Sequence, residues 1–165
     1  MIRQFSHWLA ATPMSATLQQ VAWAIPALQI VHILSISAAF SSIVLMSARL
    51  LGLNREFNID NVVRINLRIL LISVLMLVIT GSILVISEPG RDLLNPIFWT
   101  KMALLVTGLI SLGLLVSLRS NKNSGNVIVA SRRYLEPSLA IILIAIWVGI
   151  VVCGRWIAYF DAGAN

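Results

Sequence analysis

Charge is scarce in this sequence. Lys and Arg number 12 and Asp and Glu 6 among 165 residues, or 11%, where a soluble domain carries roughly 25%. So few charges cannot cover a water-facing globule, which excludes the ordinary soluble class. Cysteine is scarcer still. Cys153 is the only one, so neither an intrachain disulfide nor a paired-cysteine zinc site can form. The catalytic signatures are missing too: no GxSxG, no HExxH, no phosphate loop and no GxGxxG after a strand. The expectation is therefore a protein that is not an enzyme. The net charge of +6 comes with no basic stripe interleaved with aromatics and no nucleic-acid module, so no nucleic-acid partner is expected. Residues 1–20 also lack the compact apolar core and small-residue cleavage site of a signal peptide.

What is abundant is apolar sequence, 59% of the chain, gathered into four runs near the ~20 residues that cross a bilayer. The runs cover about 24–48, 65–86, 96–118 and 137–160. They predict an all-α fold, an integral membrane four-helix bundle occupying 1–165 as a single membrane domain, with the lipid bilayer as its main partner. Breakers agree with these limits. Ser87-Glu88-Pro89-Gly90 ends the second run. Asn95-Pro96 restarts the chain as a capping residue with proline in the first turn. Residues 1–23 read as an interfacial segment, an N-terminal amphipathic helix. Ile2, Phe5, Trp8 and Leu9 share a helical face, and Thr12-Pro13 signals a second short helix reaching about Trp23.

Basic residues set an orientation. Arg49, Arg55, Arg64 and Arg68 flank one loop, and Arg119, Lys122, Arg132 and Arg133 the other. Only Arg3, Arg91, Lys101 and Arg155 lie on the opposite side, so the count is eight against four. Loops 49–64 and 119–136 are expected in the cytoplasm and both termini outside, in the periplasm if the membrane is a bacterial inner membrane. Trp23, Trp99, Trp156 and Tyr159 fall near the outer boundary, where aromatic belts form.

His32 stands out within this frame. It lies about six residues inside the first run, roughly 9 Å below its start, where ionisable groups are rare and turn toward partners or bundle interiors. The topology brings Gln29, His32, Glu88, Arg91, Lys101 and Arg155 to one level near the outer boundary, a candidate polar cluster. Gln29, His32, Ser35, Ala39, Ser42 and Met46 recur at spacings of three and four and predict one inward face of the first span. Ser73, Thr80 and Ser87 repeat every seven residues on the second span. Ala103, Thr107 and Ser111 on the third, and Ala145, Gly149 and Cys153 on the fourth, are small-residue packing seams. Glu88 with Arg91 suggests a helix-end ion pair. Lys101 and Arg155 can extend their charges to the headgroups.

Cofactor chemistry would rest on His32. Haem b held between spans usually takes two axial ligands. His7, the other histidine, lies in the surface segment, which leaves Met76, Met102 or a second subunit as the co-ligand. Copper would draw on His32, Cys153 and Met76 or Met102. No catalytic residue and no definite metal or cofactor is assigned on these patterns.

The segments FSHWLAATPMS, VAWAIPALQIVHIL to SARLLGL, SEPGRDLLNPIFWTKM and VVCGRWIAY resemble a family of small, uncharacterised bacterial inner-membrane proteins defined by a domain of unknown function. The resemblance covers most of the chain apart from 54–80 and 119–137. It implies a four-span bundle in which Trp23, Pro26, Gln29, His32, Arg49, Glu88, Arg91, Asn95, Lys101, Arg155 and Tyr159 occupy motif positions. A remoter likeness is to copper-resistance D type membrane proteins, which also carry histidine in an early span. Three functions follow as expectations: a non-enzymatic membrane component whose outer cluster binds a partner or small ligand; a haem- or copper-handling electron-transfer subunit using His32; and a small transporter subunit. A homo-oligomer or a membrane or periplasmic protein partner would fit the close-packing faces.

Overall fold

The computed structural model describes residues 1–53, 59–120 and 128–157, without the side chains of 118–120 and 128–136. Arg55, Lys122, Tyr159 and Phe160, and the side chains of Arg119, Arg132 and Arg133, lie outside the described residues. The described residues form seven helices and no strand: α1 (Ile2–Ala10), α2 (Pro13–Gln20), α3 (Ala24–Leu50), α4 (Ile59–Ser87), α5 (Pro89–Leu93), α6 (Pro96–Ser120) and α7 (Ile128–Trp156). Four of them are long and apolar enough to cross a membrane: Ala24–Leu50, Ile59–Ser87, Pro96–Ser117 and Pro137–Trp156. The protein is an integral membrane protein of all-α class. Its apolar exterior agrees with that class: Leu71 and Ile72 are 55% and 60% exposed.

Two helices outrun the apolar sequence that marks them. α4 begins at Ile59 rather than near 65, with Asp60 in its first turn, where a carboxylate suits the positive end of the helix dipole. α7 starts at Ile128 and carries Pro137 inside it. Hydropathy locates the stretch that lipid requires; backbone hydrogen bonding lets a helix continue past it. Local signals place the other starts. The Thr12 side chain accepts the Ser15 N–H at 3.5 Å at the head of α2. Buried Asn95 accepts the Ile97 N–H at 2.9 Å at the head of α6.

The spans run alternately up and down. α3 packs along α4 and along α7, α7 packs along α6, and α4 and α6 make no mutual contact among the described residues. Short α5 touches both of those ends. One end of the bundle therefore carries a cap of α1, α2 and α5. In that cap α1 rests on α5, and Gln19 of α2 donates to the last-turn carbonyl of Ser87 at 2.7 Å.

The α3–α4 seam is built from small and polar residues. Ser35, Ala39, Ser42 and Met46 are buried on α3, and Asn66, Ser73, Thr80 and Ser87 are buried on α4 at a strict seven-residue spacing. Their polar atoms are satisfied largely within their own helices. Ser35, Ser42, Ser73 and Thr80 donate to carbonyls four residues back at 2.7–2.9 Å, and Asn66 does the same to Val62 at 2.8 Å. Close packing thus needs no polar group left bare in lipid.

The α6–α7 seam departs from the small-residue pattern. Ala103, Thr107 and Ala145 are exposed, whereas Ser111 is buried. Close approach occurs at Gly108, where an added Cβ would lie 3.2 Å from Ile146 Cγ2, and at Gly149 of the expected α7 stripe, where it would lie 3.3 Å from Leu104 Cδ1. The contact face of α6 runs through Leu104, Gly108, Leu112 and Leu115, about one residue (~100°) from the expected stripe. Gly108→Leu should force α6 and α7 apart and lower stability by about 1–3 kcal/mol. Gly113→Leu, with nothing within 4 Å of the added Cβ, should be neutral or mildly stabilising through helix propensity. Unfolding in detergent measures both; equal losses would contradict the assigned interface.

Candidate polar site at the capped end

His32 sits on α3 facing α4, half-buried. Its Nδ1 lies 2.8 Å from Thr80 Oγ1, and that hydroxyl donates onward to the Met76 carbonyl at 2.7 Å. A threonine hydroxyl has one proton. With that proton on Met76, the oxygen accepts from His32 Nδ1–H, and the tautomer follows from the network. In the neutral imidazole Nε2 is then unprotonated and carries a lone pair. The ring lies over Gly81, where an added Cβ would be 3.4 Å from Cε1. The histidine is thus placed by a threonine from the heptad stripe and given room by the glycine beside it.

Lys101 occupies the second turn of α6, half-buried. Its Nζ rests 3.7 Å from where a Cβ on Gly154 would be, so it lies against α7. Its charge bears on His32 and on Asp92. Lys101 makes no hydrogen bond or ion pair with a described residue. The structure therefore brings His32, Thr80, Lys101 and Asp92 into one neighbourhood beneath α5.

Asp92 is the member that sequence reasoning missed. It is half-buried on α5. Burial pushes its carboxyl above the usual carboxylate range; Arg91 draws it down, Glu88 pushes it up and Lys101 draws it down. Its position beside the Pro89 break hid it, because a five-residue helix leaves no periodic pattern.

The other expected members lie elsewhere. Gln29 is exposed. Successive three-residue steps from 35 back to 29 rotate ~60° each, so Gln29 falls ~100° from the centre of the α3 contact face. Glu88 and Arg91 pair with each other at 2.9 Å, with side chains 43% and 46% exposed. Arg155 is exposed on α7, one residue beyond Gly154, while Cys153 is half-buried. Met76 supplies a backbone carbonyl but its side chain is 41% exposed, and Met102 is half-buried. Among the described residues no three His, Cys, Asp or Glu side chains gather as a metal would need.

Compared with family models, curated proteins and solved structures, the chain shows no match.

The His32–Thr80 bond gives a direct test. Thr80→Val keeps the shape and removes the acceptor, and should cost about 0.6 kcal/mol, with ~1.7 as the ceiling seen for such membrane bonds. In His32→Phe the same change should cost close to nothing. A double-mutant cycle in detergent unfolding checks this, and an unchanged Thr80→Val cost in both backgrounds would contradict the bond.

Proposed function

We propose that this protein is a non-enzymatic component of a bacterial inner membrane that holds a small polar ligand at the capped end of its bundle. The supporting observation is a pair of unspent groups in one neighbourhood. His32 has its ring fixed by Thr80 with the Nε2 lone pair free of that bond, and Lys101, against Gly154, makes no ion pair with a described residue. Ionisable groups at membrane depth are costly, and those that persist commonly meet a partner or a ligand. A donor and an acceptor near one another at the capped end suit binding. No nucleophile, base and orienting group are aligned there as hydrolysis or group transfer would need.

The experiment is native mass spectrometry of the protein extracted from its own membranes. A compound should accompany the wild type and be lost from the His32→Ala/Lys101→Met double variant. Identical spectra would remove the ligand-binding reading. A Soret band, or copper bound in proportion to protein, would put electron transfer in its place.

The same reading puts both termini in the periplasm and loops 49–64 and 119–136 in the cytoplasm, from the excess of basic residues in those loops. Cysteines introduced near residue 125 of a Cys153→Ala chain should react with an impermeant maleimide only in broken cells. Labelling of intact cells at that position would reverse the orientation.

A further inference from the structure

We propose that the ligand is an anionic phospholipid with a hydroxylated headgroup, admitted sideways from the bilayer between α4 and α6. This rests on the reading of the capped end as a ligand site and names the chemistry it takes. Three observations carry it.

The first is charge. Lys101 makes no ion pair with a described residue, although Asp92 lies nearby. Glu88 is spent on Arg91 at 2.9 Å. Asp92 is half-buried on α5 and makes no ion pair with Lys101. An ammonium in an apolar surrounding calls for an anion with strong acceptor oxygens, as a phosphodiester has.

The second is hydrogen-bond polarity. Thr80 Oγ1 accepts the Nδ1–H of His32, so in the neutral ring Nε2 is an acceptor. The ligand must bring a donor as well as a negative charge. A glycerol-type headgroup has both: its phosphate accepts from Lys101 Nζ, and its hydroxyl donates to His32 Nε2. A choline headgroup has no donor and no net charge.

The third is access. α1 and α2 cover the capped end, α1 through its contact with α5 and α2 through the 2.7 Å bond from Gln19 to Ser87. A soluble anion would have to pass that cover. On the lipid side α4 and α6 do not touch among the described residues, and α5 links them. Their exteriors are apolar, with Ile79 46% and Val106 56% exposed, and suit acyl chains beside a headgroup held beneath α5.

The test titrates short-chain lipids into the full-length protein in neutral detergent and reads dissociation constants. Dioctanoyl phosphatidylglycerol should bind about tenfold or more tightly than dioctanoyl phosphatidylcholine, as one charge-assisted bond provides. Lys101→Met should abolish that preference and Lys101→Arg should keep it, which separates lost charge from lost fold. Dioctanoyl phosphatidylmethanol, anionic but without a hydroxyl, should bind severalfold more weakly than the glycerol lipid in the wild type and equally in His32→Phe. Equal affinity for the choline and glycerol lipids, or an unaltered Lys101→Met, would overturn the proposal. Glycerol phosphate binding as tightly as the lipid would overturn the lipid as the source of the anion. A co-purifying compound of other chemistry, lost on mutation of the cluster, would refute this inference and leave the ligand-binding reading standing.

Discussion

Lipid offers no hydrogen bonds, so every polar group inside this bundle must find its partner within the protein. That constraint shapes the α3–α4 seam. Its serines, threonine and asparagine turn their polar atoms back to carbonyls of their own helices. The face they leave is small and smooth, and α3 and α4 pack along it. His32 cannot satisfy itself this way, because its ring reaches beyond its own backbone. It uses Thr80 on the neighbouring helix, and so becomes a polar link between two spans with a fixed proton position. Two buried atoms depart from the rule: Ser47 Oγ and Trp147 Nε1 have no partner among the described residues.

The same solvent explains an arrangement that water would forbid. α1 turns Ser6 inward, 2% exposed, and leaves Ile2, Phe5 and Trp8 49%, 53% and 64% exposed, with the Phe5 and Trp8 rings stacked at 5.8 Å. A soluble protein would bury those three. Here the apolar side is the outer side, as for a helix lying in the headgroup plane. Its inward polar side rests on α5, the element that bridges α4 and α6 above His32 and Lys101. The cap thus joins the interfacial helix to the polar neighbourhood.

Much of this could be read in advance because membrane burial imposes periodicity. The α3 stripe from His32 to Met46 and the seven-residue repeat on α4 are spacing patterns, and both lie in the interface. Thr12 and Asn95 are local capping chemistry and act as such. The failures have a common cause. Gln29 satisfies the three-and-four spacing yet drifts off the face by accumulated rotation. The Ala103–Thr107–Ser111 stripe has the right residue sizes but sits beside the true contact face, which Gly108 marks. Asp92 belongs to no periodic element. Each error concerns where a side chain points once a partner helix is chosen, which spacing along one helix does not contain.

The sequence by itself determined that this chain lives in lipid, how many times it crosses, and that one histidine lies within a span. Those are consequences of how apolar residues and charges are distributed along a line, and transfer free energy reads that distribution directly. Only the tertiary structure decided that Thr80 meets the imidazole of His32, that Lys101 rests against α7 without an ion pair to a described residue, and that α4 and α6 stand apart. These depend on the order in which four similar helices pack. That order is set by close contacts at residues such as Gly108 and Gly149, whose partners lie far away in the chain.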